Sequence, residues 1–275
     1  AWSNPTFQYF FLGSQDLDIS NENGVLEIIK KIQPEFLINC AAYTDVDGAE
    51  DNSDEAYKVN SESVLILSKA CGDKVKFINI SSDYVFDGQS TIPYTPEDIP
   101  NPLSVYGDSK YQGELATKNN CSNYIILRSS WIYSEHKKNF LKSILDLTFT
   151  NKALNIINDQ VGTPTYAMDL ARAIAMLLEE DIFEKHSQSI MHFCGNHVCS
   201  WHDFACAIEK HSRSIFDDQL LEKITPVSTD FFHQKATRPK YSALKTDSFF
   251  KDSSLSRDSL DKNIIQILRK LKQYG

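Results

Sequence analysis

Apolar and polar positions along the chain fall into short blocks whose spacing sorts strands from helices. Phe7–Leu12 has the composition of a strand. Ser20 stands as an N-cap before a helix over Glu22–Gln33, whose apolar positions Val25, Leu26, Ile28, Ile29 and Ile32 recur at helical spacing, and Pro34 stops it. Phe36–Cys40 is a near-continuous apolar run, the pattern of a strand buried on both faces. Ser53 caps a long predicted helix through Ala70, and Val75–Ile80 is a further buried strand that closes on Ser81-Ser82-Asp83. Pro93, Pro96, Pro100 and Pro102 make Asp87–Pro102 a loop. Ser104–Lys118 is helical again, Tyr124–Leu127 a strand and Asn139–Phe149 a helix.

This alternation predicts an α/β fold, a Rossmann-like parallel sheet with helices on both faces. In such sheets ligands lie beyond the carboxyl ends of the strands, which places Ala41–Thr44, Ser81–Phe86 and Ser129–Tyr133 along one crevice. After Asn151 the rhythm changes. Asn158–Pro164 is a polar turn, Tyr166–Glu179 an amphipathic helix, and Ser200-Trp201-His202-Asp203 has the form of a capping box opening another helix. Arg238–Tyr241 is expected as an ordered loop or short strand, and Lys262–Leu271 as a terminal helix. The expected organisation is a dinucleotide-binding domain over residues 1–150 and a smaller substrate-binding lobe over 151–275, with some chain crossing between them.

Composition narrows the functional classes. Apolar residues make up 41% of the chain and charged residues 24%, ordinary for a folded domain with a large core. A net charge of −9 argues against a general nucleic-acid binder. No apolar run reaches the ~20 residues a membrane span needs, and the front shows no signal-peptide pattern. Cys40, Cys71, Cys121, Cys194, Cys199 and Cys206 are scattered, which predicts reduced thiols and a cytoplasmic location. His192-Phe193-Cys194-Gly195-Asn196-His197-Val198-Cys199 could tempt a metal assignment, but its C-x4-C spacing misses the common zinc pattern and no second ligand pair stands nearby. A strand, a Gly-Asn turn and a short return segment explain it better, and no metal is expected.

Candidate chemistry centres on Tyr106 and Lys110. A tyrosine four residues before a lysine puts both side chains on one helical face, about 5–6 Å apart at Cβ. The chain contains Tyr-x-x-x-Lys three times, at Tyr106/Lys110, Tyr133/Lys137 and Tyr241/Lys245. Only the first lies early in a predicted helix after a strand that ends in serine. An isolated pair of this kind is ordinarily an amphipathic pair on a solvated helix; the neighbouring Ser82 changes its meaning. Together Ser82, Tyr106 and Lys110 suit proton transfer to a carbonyl oxygen while a hydride arrives at its carbon. A free phenol, with pKa near ~10, is too weak an acid for neutral pH, and the nearby ammonium is expected to lower it. The hydride must come from a cofactor.

Five segments occur in a telling order: Asn39–Asp47, Ser81–Phe86, Val105–Lys110, Ser130–Tyr133 and Asn158–Thr165. Together they closely resemble the dTDP-4-dehydrorhamnose reductase family of the extended short-chain dehydrogenases/reductases, with the likeness running from about Asp16 through Arg238-Pro239-Lys240. The resemblance implies reduction of the C4 ketone of dTDP-4-dehydro-L-rhamnose to dTDP-L-rhamnose for cell-surface polysaccharide, with NADPH or NADH as hydride donor and a possible homodimer. It makes Tyr106 the proton donor, and Lys110 its partner and a contact of the nicotinamide ribose. Ser82 stands where the family usually has threonine and keeps the hydroxyl. Asp83 and Trp131 match positions that contact the sugar. Ala42, Tyr43 and Thr44 match a cofactor-lining turn, Asp18 and Ile19 the pair beside the adenosine, and Asn60 a helix asparagine that supports the active site. Trp131 also suits plain core filling, and Asn60 a helix kink or local cap.

The front departs from the family pattern. The superfamily opens with a strand and a Gly-x-x-Gly-x-x-Gly turn at the cofactor pyrophosphate; here Gly13 and Gly24 stand alone. The strand so missing would lie between Phe7–Leu12 and Phe36–Cys40; the expectation is a fragment of a longer reductase or the product of an incomplete reading frame, with poor dinucleotide affinity if this chain stands alone. Gly13-Ser14-Gln15, at the end of the expected Phe7–Leu12 strand, is neither acidic nor basic, which tilts the cofactor expectation to NADPH. Competing readings are a nucleotide-sugar epimerase or dehydratase, the latter disfavoured because no Asp-Glu pair follows Ser82, and a non-catalytic regulatory subunit on the same scaffold.

Overall fold

Four runs rich in branched apolar residues pair side by side and in parallel to form the central sheet of the computed structural model, which describes residues 7–217, 219–252, 255 and 257–274. In spatial order they are Phe36–Asn39, Lys76–Ser82, Tyr124–Ser129 and Ser189–His192. The pleat sends successive side chains to opposite faces. Phe77 and Ile126 therefore pack with Val25, Val64 and Leu67, from helices Glu22–Ile32 and Ser63–Cys71. Ile78, Ile125 and Leu127 pack on the other face with Leu170, Ala173 and Leu177 of helix Ala167–Leu177. Residues late in the chain thus supply one strand of this sheet and one of its covering helices. A second core gathers helices Phe140–Thr150, Trp201–Arg213 and Leu260–Tyr274 around Tyr133, Phe204 and Ile264. Beside it, Ala153–Ile157 pairs in parallel with Lys223–Val227.

The structure corrects several expectations. Phe7–Leu12 is irregular backbone, not a strand, because it has no ladder partner among the described residues. Phe7 and Tyr9 pack against the sheet core instead, Phe7 edge-on against Phe36 at 5.9 Å, while Phe10 and Phe11 are exposed. The first helix is capped by Asn21, whose side chain accepts from the Gly24 N–H, while the Ser20 hydroxyl donates to Asp18. The helix expected from Ser53 to Ala70 is broken by a π-helical turn at Lys58–Glu62 and follows an unanticipated helix Val46–Asp51. After Ser189–His192 the return segment Cys199–Ser200 pairs antiparallel with Val161–Gly162, not with its own strand. His192 and Cys194 are engaged separately, with the Tyr94 and Leu244 carbonyls.

The π turn carries Asn60, and its carbonyl lies where helix Val105–Asn120 comes nearest. A Cβ at Gly113 would sit 2.2 Å from the Asn60 carbonyl oxygen, so only glycine permits this approach. Gly113→Ala should therefore lower the urea midpoint by an amount equivalent to about 1–3 kcal/mol. An unchanged midpoint would show that the two helices do not meet at this point.

Candidate active site

Helix Val105–Asn120 is fixed at its first turn from three directions. The Ser104 hydroxyl accepts from the Gly107 N–H at 3.2 Å, and the Glu50 carboxylate accepts from the Val105 N–H at 2.9 Å. Gly107 lies against the Tyr84 carbonyl, where a Cβ would be only 2.2 Å from the oxygen. Tyr106 is thereby set edge-on to Tyr84, ring centroids 5.5 Å apart, with its phenol in hydrogen-bonding reach of the Ser82 hydroxyl. Ser82 ends strand Lys76–Ser82, accepts from the Tyr84 N–H and donates to the Asp83 carboxylate at 3.1 Å. The other Asp83 oxygen accepts from the Ser242 hydroxyl at 2.5 Å. One turn after Tyr106, the buried Lys110 ammonium donates to the Ile80 carbonyl at 2.7 Å.

Electrostatics follow from this enclosure. Desolvation pushes Tyr106 up to about 12, outweighing the Ser82 hydrogen bond that favours the phenolate, while the nearby Asp83 raises it further. The expected lowering by Lys110 is not found, because the ammonium is turned to the Ile80 carbonyl and contributes nothing resolvable at the phenol. Lys110 itself is pushed down to about 8 by burial, with Glu114 opposing. Burial lifts Asp83 to about 7 against its bonds from Ser242 and Ser82. At neutral pH the phenol is protonated and Lys110 is mostly charged.

Geometry also separates the three Tyr-x-x-x-Lys pairs. Tyr133 is buried in a two-residue strand while Lys137 lies in a bend with φ of 49°. Tyr241 is bridged to Val161 and the Lys245 N–H bonds to the Tyr94 carbonyl, so that stretch is extended. Only Tyr106 and Lys110 share a helical face.

Among the expected cofactor residues, Ala42, Tyr43 and Thr44 form the turn beyond strand Phe36–Asn39. Asn60 grips Tyr43 from both sides, accepting from its N–H at 2.9 Å and donating to its carbonyl at 3.0 Å, and also donates to Ser109. Ser109 in turn donates to the Tyr106 carbonyl, so this turn and the tyrosine helix form one hydrogen-bonded unit. A braced turn at the carboxyl end of a parallel strand fits one side of a dinucleotide. Asp18 and Ile19 lie apart from Tyr106: Asp18 is exposed and bonded to Ser20, and Ile19 packs with Val25 and Val64. Trp131 adopts φ of 46°, a left-handed conformation rare for a bulky residue. Its indole stacks on Trp201 at 3.5 Å and lies against Gly162, where a Cβ would be 2.3 Å away.

Sequence reasoning missed Glu50, Glu114, Arg128, Ser242 and the Asp47–Arg238 clamp. Arg238 grips Asp47 through two bonds of 2.7 and 3.0 Å and lies near the Tyr84 phenol. Asp47 accepts further from the Lys235 and Ala236 N–H groups, and Lys235 pairs with Asp51. A charged strand residue, Arg128 within an apolar run, was the one visible signal.

The RmlD substrate binding domain family model matches residues 2–273. A dTDP-4-dehydrorhamnose reductase of Sinorhizobium fredii is 36% identical over 254 residues, spanning 90% of this chain and 84% of the relative. The crystal structure of a dTDP-4-dehydrorhamnose reductase ortholog from Clostridium acetobutylicum superposes with a TM-score of 0.88 at 32% identity, over 98% of this chain and 92% of that one. The dTDP-4-dehydrorhamnose reductase from Bacillus anthracis, solved in complex with NADP, gives a TM-score of 0.85 at 31% identity, covering 94% and 89%.

The Arg238 guanidinium holds Asp47 down at about 2, against an ordinary value of 3.8. A depressed carboxylate adds stability that is fully present above its unfolded pKa and lost as pH falls through the folded one. The melting-temperature gap between the wild type and Asp47→Asn should thus be widest above about pH 4 and close as pH drops toward about 2. A gap independent of pH would rule out the clamp.

Proposed function

The chain belongs to the RmlD substrate binding domain family, and from that membership we propose how its own residues carry out the family's reaction. The activity is the NADP-dependent reduction of the C4 ketone of dTDP-4-dehydro-L-rhamnose to dTDP-L-rhamnose. NADPH, when bound, supplies the hydride. Ala42, Tyr43 and Thr44, braced by Asn60, line its nicotinamide-ribose side with Lys110, and Asp18 and Ile19 its adenosine side.

Tyr106 gives its proton to the C4 oxygen. The raised phenol pKa keeps that proton in place until the oxygen gains charge, and Ser82 donates to the same oxygen as charge develops. The Lys110 ammonium, bonded to the Ile80 carbonyl, lies one helical turn from the phenolate left behind. Asp83, fixed by Ser242, and Trp131, flattened between Gly162 and Trp201, hold the sugar. The observation that carries this assignment is the placement of Tyr106, packed edge-on to Tyr84 beside the strand end at Ser82, with Lys110 one turn away on the same helix.

The same reading assigns dinucleotide binding to residues 1–150 and the sugar nucleotide to residues 151–275, with helix Ala167–Leu177 and strand Ser189–His192 crossing back to the sheet. No helix among the described residues is long and apolar enough to cross a membrane, and all six cysteines are free. A cytoplasmic enzyme working as a homodimer completes the proposal; light scattering of the purified chain tests the dimer.

Tyr106→Phe should lose about 10²–10⁴-fold in NADPH oxidation with dTDP-4-dehydro-L-rhamnose while its circular dichroism stays unchanged. Turnover near the wild-type rate would overturn the assignment, and sugar conversion without net NADPH consumption would favour an epimerase. Because Lys110 must carry its proton, reductive turnover should fall as pH rises through about 8. A flat profile across that range would remove Lys110 from the mechanism.

A further inference from the structure

Beside the tyrosine–lysine pair lies a buried charged cluster that the reaction described so far does not use. Glu114 stands one helical turn after Lys110, and its carboxylate receives two bonds from Arg128, Nε to Oε1 at 2.8 Å and Nη2 to Oε2 at 2.7 Å. The Ser81 hydroxyl donates to the same Oε1 at 2.6 Å. Both charged side chains are no more than 1% exposed. The remaining Nη1 of Arg128 faces His192 Nε2 at 3.4 Å, and the guanidinium lies 5.0 Å over the Phe86 ring. Burial and the Arg128 charge hold His192 down at about 3, so its ring is neutral.

A fully buried ion pair is a poor source of net stability, because two charges must be stripped of water. Its position suggests another use. Lys110 donates to the Ile80 carbonyl on the neighbouring strand, lies one helical turn from both Tyr106 and Glu114, and is within electrostatic reach of Glu114 and of Cys40 beyond strand Phe36–Asn39. Desolvation raises the Cys40 pKa, so that thiol carries no charge at neutral pH. Arg128 and His192 reach this group from two further strands, through Glu114. Among these groups, Glu114 is the carboxylate one helical turn from the lysine, and its two bonds from Arg128 offset part of its charge.

We propose that Glu114 is a positioning residue that holds Lys110 in its charged form, with Arg128 as the counterweight that limits this hold. The proposal rests on the reading of Lys110 as the ammonium partner of Tyr106. It predicts opposite effects from the two halves of one ion pair. Removing the carboxylate leaves Arg128 as an uncompensated cation near Lys110, which then gives up its proton at lower pH. Removing the guanidinium leaves Glu114 unopposed, and Lys110 keeps its proton to higher pH.

The test is a titration of the lysine side chains by 13C and 15N NMR on the full chain, with Lys110→Gln to assign the signal. In Glu114→Gln the Lys110 midpoint should move down by about one pH unit, and in Arg128→Gln up by a similar amount. The alkaline limb of reductive turnover should move with each midpoint. Glu114→Asp keeps the charge and should restore the wild-type midpoint; it carries the comparison with Arg128→Gln where Glu114→Gln does not accumulate folded. Midpoints that stay in place, or move in the same direction in both neutral variants, would reduce the pair to a structural element and overturn the proposal. An unmoved midpoint in protein that turns over substrate defeats this inference alone. Shifted midpoints in protein with no turnover defeat the functional reading alone.

Discussion

The site depends on one steric constraint, the flat approach of helix Val105–Asn120 to the backbone on either side of it. Two glycines permit it: Gly107 against the Tyr84 carbonyl and Gly113 against the Asn60 carbonyl. With the helix this close, short polar side chains span the gap to the sheet. Lys110 reaches the Ile80 carbonyl, Glu114 reaches Ser81 and Arg128, and Thr117 meets Asn79. These groups are buried, and one left without its partner would cost about 1–3 kcal/mol. The helix is therefore fixed in depth and rotation by several contacts at once, and Tyr106 inherits that precision.

Burial acts on the two reacting groups in a common sense, toward neutrality. It raises Tyr106 and lowers Lys110, which leaves the phenol neutral and weakens the hold of Lys110 on its charge. For a proton donor that bias is useful, since the phenol keeps its proton until a better acceptor than water arrives. For the lysine it is a liability, and a buried carboxylate one turn away answers it. The same desolvation therefore prepares the acid and creates the need for the Glu114–Arg128 pair.

Much of the scaffold is legible in the sequence because its signals are local. Continuous apolar runs mark Phe36–Asn39, Lys76–Ser82 and Tyr124–Ser129, and the Ser104 and Ser200 hydroxyls cap the helices they precede. What escaped is set by partners far away in the chain. Phe7–Leu12 has strand composition, but a strand needs a neighbour to share its ladder, and pattern alone does not supply one. No side chain in Lys58–Glu62 announces a π turn; it is set by the packing that brings Asn60 to Tyr43 and Ser109. Glu114 looks like a solvated helix residue until Arg128, in a strand buried on both faces, is asked where its charge goes. Ser242 carries no local sign at all, being 159 residues from the Asp83 it holds.

That last distance points to how the two halves of the chain share one site. Residues 240–245 are stitched between Val161 on one side and Tyr94 on the other by backbone bonds of 2.8 Å. Just before them, Arg238 holds Asp47 beside the turn Ala42–Thr44 and also reaches Tyr84, the ring against which Tyr106 packs. Just inside them, Ser242 fixes Asp83. One stretch of about eight residues thus braces Asp47, Tyr84 and Asp83 together. Ser82 ends a central strand while Tyr106 and Lys110 lie on the neighbouring helix, and part of what braces this region comes from the far end of the chain. These three contacts lie along one continuous stretch of backbone, so this region is assembled from distant parts of the sequence.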